Sequence, residues 1–214
     1  VSPAQKNMPQ IQTSGRKVIV ELQDSLIPNT TYTIDFSDAI SDNNERNPLY
    51  NFSFSFATGN SIDTLQIGGV LLNAENLEPV TGMLVGLHSN LNDSAFTKTP
   101  MQRIAKSDAY GRFSIKNIGA GTYRIYGLND ANRDYKFDNP SEDIAFMDST
   151  VTPTVEMVMH ADTIWADSMT IDTIKMVTLP HFYPNNIILK VFNEQFKSRY
   201  LETVSYTHLT LPTS

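Results

Sequence analysis

The sequence predicts an all-β chain built as tandem antiparallel β-sandwiches. Three observations carry this. Short stretches alternate apolar and polar side chains with period two. Clusters of Pro, Asn, Asp and Gly separate them. No amphipathic helical pattern stands out before about residue 190. Runs of strands divided this way point to sandwiches rather than to βαβ units.

Lys17 to Gln23 (KVIVELQ) alternates and is rich in β-branched residues. Thr30 to Ser37 places Tyr32, Ile34 and Phe36 on one face. Tyr50 to Ala57 does the same with Phe52, Phe54 and Phe56, with Ser between them. The breaks are Ile27-Pro28-Asn29, Ser41 to Pro48 and Thr58-Gly59-Asn60. Alternating Phe residues usually form a sandwich core, and a sugar-binding platform is the alternative.

A second set of strands follows. Leu65 to Leu72 is interrupted at Gly68-Gly69, where a bulge is expected. Next come Met83 to Ser89, Gln102 to Lys106, Arg112 to Lys116 and Thr122 to Leu128. Asp143 to Met147 and Thr154 to Met159 complete the set. Gly111 and Gly121 sit where hairpins need a positive φ or no side chain. Ala161 to Lys175 repeats an Asp-Thr-Ile phrase and reads as an extended linker. Pro184 to Phe192 reads as the first strand of a further domain, and Asn193 to Leu201 as a short helix.

The expected organisation is a β-unit over residues 1–60, a complete sandwich over 61–160, and a linker with the start of a further domain over 161–203. Residues 204–214 (VSYTHLTLPTS) back-translate in one frame to a sequence resembling a transposon mosaic-end adapter of sequencing libraries. They are expected to be an artefact and are excluded from fold reasoning. The chain opens on Val1 rather than Met, so an interior fragment of a longer protein is expected.

Composition bounds the function. A net charge of -7 argues against nucleic acid, which needs clustered Lys and Arg. Cysteine is absent, which removes disulfides, thiolate nucleophiles and Cys-ligated zinc together. The apolar runs are too short to span a bilayer as helices.

Two segments resemble known families. Val18 to Gly59 carries Leu26, Pro28, Thr30, Tyr32 and Phe36, then Asp42, Asn47, Pro48 and Thr58-Gly59. It resembles the C-terminal half of the bacterial Ig-like domain of surface-layer proteins, which implies that opening strands are missing and a sheet edge lies open. The second segment carries Asp108, Gly111, Phe113 and Ile115, then Gly121, Tyr123 and Ile125. With Gly69-Val70, Pro79-Val80, Val85 and Leu87, it resembles the carboxypeptidase regulatory-like, or prealbumin-like, sandwich. Together they look like Ig-like lipoproteins of bacterial cell envelopes. That resemblance implies a non-enzymatic structural or binding module of the envelope, in the outer membrane, periplasm or cell surface. Its partner would be an envelope protein or glycan, with membrane contact only through a lipid anchor outside this sequence. The alternative is an accessory region of a secreted hydrolase whose catalytic domain lies elsewhere.

The best chemical candidate is an acidic stretch with oxygen ligands at alternate positions: Asp130, Asn132, Asp134 and Asp138, with Glu142 beyond. Such spacing can wrap a hard cation, as in calcium loops, with Lys136 giving only its carbonyl. Two features depart from that pattern. The sixth position is Tyr135 rather than Gly, and Glu142 falls one residue late. These favour a plain connection in which Asp and Asn cap turns, with a calcium-stiffened adhesin module as the alternative. No other cofactor is expected. The loop of Asp38, Asp42, Asn43, Asn44 and Glu45 lacks ligand spacing and reads as solvated. His88, His160 and His181 have no metal-ligand spacing, and no Gly-x-Ser-x-Gly elbow occurs. Nothing nominates a catalytic residue.

Overall fold

Alternation and turn chemistry produce four hydrogen-bonded β-assemblies in the computed structural model. It describes residues 1–37, 39–42, 45–47, 49, 52–165 and 170–194. The expected helix from Asn193 to Leu201 lies, beyond residue 194, outside the described residues, as does segment 204–214. The described residues are all-β apart from one short helix.

The first 60 residues form two ribbons. β1 (Gln10–Ser14) pairs antiparallel with β2 (Lys17–Glu21) around Gly15, whose φ is +59°. β1 has no counterpart in the sequence reading, because its polar residues give no apolar alternation. β3 (Thr31–Ser37) pairs antiparallel with β4 (Phe52–Ala57). Tyr32 is fully buried, its ring stacked on Phe56 at 5.3 Å, and its hydroxyl accepts the Ile27 N–H at 2.8 Å. The other rings are less covered: Phe52 is 40% exposed and Phe54 53%. The Phe face expected to be core is therefore only partly buried, because two two-stranded ribbons cannot close over it.

The second unit holds β5 (Leu65–Asn73), β6 (Leu84–His88), α1 (Ala95–Lys98), β7 (Arg103–Lys106), β8 (Arg112–Ile118), β9 (Arg124–Leu128) and β10 (Asp143–Phe146). The one-turn helix α1 is too short to leave a periodic signature in sequence. The hairpin before β8 turns on Asp108 and Gly111. Asp108 Oδ1 accepts the N–H groups of Tyr110 and Arg112, and Gly111 takes φ +70°. Alternate residues of the strands, among them Ile67, Leu71, Val85, Leu87, Phe113 and Ile115, fill one core. Burial of each such side chain stabilises the unit by about 1.5–3 kcal/mol before conformational entropy is counted.

Two segments differ from expectation. The linker expected at 161–175 is part of a long antiparallel ribbon, β11 (Thr154–Trp165) with β12 (Ile171–Tyr183). The repeated phrases pair with each other there: Thr163 lies opposite Ile174, and Ile164 opposite Thr173. A solvated linker and a two-stranded ribbon share the same local pattern, and only long-range pairing separates them.

The second difference is β13 (Ile187–Asn193), read from sequence as the start of a further domain. It lies inside the second unit's sheet, whose order is β7-β6-β9-β10-β13-β5-β8. It runs parallel to β5 and antiparallel to β10. Ile187, Leu189 and Val191 point into the core with 5%, 0% and 6% exposure. A parallel neighbour needs a long crossover, and the β11–β12 ribbon is part of the chain between. The register irregularity of β5 lies between Leu65 and Ile67 rather than at Gly68-Gly69. Gly69 serves a different need, the close approach of β13.

Candidate functional site

The acidic stretch forms a wound loop between β9 and β10. Asp130 anchors it: Oδ1 accepts the N–H groups of Arg133 at 2.6 Å and Asp134 at 3.3 Å, and Oδ2 accepts that of Tyr135 at 3.0 Å. Asn132 Oδ1 accepts the Asp134 N–H, and Asp134 Oδ1 the Lys136 N–H. These successive turns explain why Asp and Asn occupy alternate positions. Arg133 and Tyr135 take φ +64° and +62°. Tyr135 thus adopts the left-handed conformation that favours glycine.

The loop is tied to the sandwich at its back. Met101 N–H donates to Tyr135 O at 2.9 Å, and Phe137 N–H to Phe96 O at 2.9 Å. The Lys136 ammonium bridges Asp134 at 3.2 Å and Asp138 at 3.3 Å. Burial would raise the Asp134 carboxyl, but the Lys136 backbone and ammonium hydrogen bonds outweigh it and lower the carboxyl below its ordinary range. Hydrogen bonds to Asp134 and Asp138 raise Lys136.

Glu142 is the exception to the loop's exposure. It is 3% exposed, and its Oε1 accepts the Ala131 N–H at 3.1 Å. Its Oε2 is buried with no hydrogen-bond partner. The five sequence-nominated residues thus share one loop. Among the described residues, no three His, Asp or Glu side chains already form a cluster that could hold a metal.

A second polar arrangement went unread in the sequence. Asn117, with φ +58°, accepts from Thr33 Oγ1 at 2.9 Å and Ser55 Oγ at 2.8 Å through Oδ1. Its Nδ2 donates to Asp63 O at 2.9 Å. Asp63 N–H donates to Thr31 Oγ1 at 2.9 Å. Arg103 donates to Thr31 O and stands 3.4 Å from Asp63 Oδ2. Ile104 N–H donates to Ser2 Oγ at 3.1 Å. This seam joins the first ribbons to the second unit. Its members lie scores of residues apart, so no local motif announces it.

The histidines stand apart. His88 is buried on β6, its ring edge-on to Tyr126. His160 lies on β11 and His181 on β12, where His181 Nε2 is 3.0 Å from Asn185 Nδ2. Burial pushes the His88 imidazole below its ordinary pKa. Tyr126 is only 7% exposed and stacks on Phe96 at 4.2 Å. It belongs to the core. An apolar groove of about 440 Å³ opens beside the Phe face, lined by Val18, Val20, Leu22, Ile34, Phe36 and Phe54 among others. No helix among the described residues is long and apolar enough to cross a membrane.

Residues 1–58 match the family model of the bacterial Ig-like domain. The match begins ahead of the Val18 to Gly59 stretch that carries the motifs. No curated protein matches the chain. A solved structure that does is the T6 backbone pilin of serotype M6 Streptococcus pyogenes, described as a modular three-domain structure. The identity is 12% and the TM-score 0.28, over 79% of this chain and 42% of that one. The chain thus spans less than half of that pilin's length.

Proposed function

We infer that this chain is a non-enzymatic structural module of a bacterial cell-envelope protein, in which an Ig-like domain and a prealbumin-like sandwich act as one rigid pair. The supporting observation is the polar seam centred on Asn117 and Arg103. Thr31 and Thr33 of β3 are buried in it at 2% and 6% exposure. A flexible linker would leave both units solvated, whereas buried, mutually satisfied polar groups fix one orientation. A module that holds a distal part at a set distance needs that stiffness. The Ig-like match over residues 1–58 supports the surface setting. In this reading a lipid anchor outside the sequence attaches the parent protein to the membrane, and its partner is an envelope protein or glycan.

Backbone ¹⁵N relaxation tests the rigid pair. One rotational correlation time shared by β3–β4 and β5–β8 is expected, and independent tumbling of the two units would overturn it. Fractionation of the parent protein tests the setting: recovery with the envelope is expected, and recovery with the cytosol refutes it.

A further inference from the structure

The loop from Asp130 to Glu142 carries an inference beyond the structural reading and independent of it. We propose that this loop binds one calcium ion, held by Asp130, Asn132, Asp134, the Lys136 carbonyl and Glu142 Oε2, with the Lys136 ammonium displaced and the three carboxylates drawn together on binding.

The first support is Glu142. A carboxylate that is 3% exposed and has one oxygen without a donor retains an uncompensated desolvation cost. Its other oxygen accepts the N–H of Ala131, between Asp130 and Asn132, so the carboxylate is seated against the loop. A hard cation shared with the loop would satisfy the orphaned oxygen. The second support is the ligand pattern. Oxygens at the first, third, fifth and seventh positions match a calcium loop. The sixth position, where such loops use glycine, is Tyr135 at φ +62°, so the backbone makes the sharp turn without glycine. The third support is charge. The Lys136 ammonium between Asp134 and Asp138 shows that the loop already gathers a cation. Each ionised carboxylate has about four lone-pair sites, more than its present hydrogen bonds use. All donors are oxygens, which favours calcium over zinc or copper. Calcium accepts an irregular ligand set that these five groups and water can complete, whereas magnesium demands near-ideal octahedral geometry.

Isothermal titration of the full chain, stripped with EDTA, with calcium chloride tests this directly. One ion per chain is expected, with a Kd on the order of 10⁻⁴ M, the range of extracellular calcium modules. Magnesium should bind at least tenfold more weakly. Glu142→Gln and Asp134→Asn should each lower calcium affinity at least tenfold, and Lys136→Gln should raise it. Asp134 is half-buried, so its variant keeps the test valid if Glu142→Gln fails to fold. A wild-type chain that takes up no calcium overturns the proposal. So does calcium binding that Asp134→Asn leaves intact, or an affinity unchanged in Lys136→Gln.

Discussion

A Cβ atom added to Gly69 would lie 2.1 Å from the carbonyl oxygen of Ile187. That distance is far below any van der Waals contact. The parallel pairing of β13 with β5 therefore requires glycine at this position, and the pairing brings Leu189 into the core.

Gly69→Ala should force β13 away from β5 and destabilise the sandwich by about 3 kcal/mol or more, the upper range for overpacking. At Gly68 the nearest atom, Phe113 O, would be 3.3 Å from an added Cβ, so Gly68→Ala should cost much less. Urea unfolding of both variants checks the contrast. Hydrogen exchange should show the Ile187 to Val191 amides losing protection in Gly69→Ala alone.

The place of β13 in the core makes a second prediction. Leu189 is fully buried and Ile188 is 57% exposed. Leu189→Ala should cost about 2–5 kcal/mol. Ile188→Ala should stay within about 0.5 kcal/mol of the parent. Equal effects in chemical denaturation would mean that β13 is not part of this unit.

Asn117 makes three side-chain hydrogen bonds across the seam while sitting at φ +58°. Asn117→Gly keeps the backbone conformation and loses the bonds, which should cost about 1–3 kcal/mol. Asn117→Ala adds left-handed strain of about 1 kcal/mol or more. Thermal unfolding should therefore rank the parent above Gly and Gly above Ala.

His88 makes stability depend on pH. Its Nε2 is buried without a partner, and burial lowers its pKa in the folded state. As pH falls through about 6.5, the unfolded chain takes up the proton before the folded one does. Stability contributed by neutral His88 is thus full above about pH 6.5 and declines below it. Unfolding midpoints measured between about pH 7.5 and about pH 5.5 should fall, and His88→Leu should remove that part of the slope.

The groove beside Phe54 gives a surface prediction. Phe54 is 53% exposed on a face shared with Ile34 and Phe36. Exposed apolar patches bind hydrophobic dyes and drive association. Phe54→Asp should lower anilinonaphthalene sulfonate fluorescence and self-association, with a stability change within about 1 kcal/mol. Unchanged dye binding would place the sticky surface elsewhere.

The amino-acid sequence makes the all-β class, most strand positions and the turn at Asp108 to Gly111 legible. These follow from local causes, namely period-two alternation and turn residues whose backbone preferences act within a few positions. It also brought Asp130, Asn132, Asp134, Asp138 and Glu142 to notice, because ligand spacing within one loop is a local pattern. The three-dimensional fold settles the rest. It paired the Asp-Thr-Ile phrases in a ribbon, and it set β13 between β5 and β10. It buried Glu142 behind its loop and joined Asn117 to Thr33 across 84 positions. Strand partners and buried polar contacts depend on which distant segments meet. An alternating strand carries the same pattern whether it opens a new domain or completes an old one.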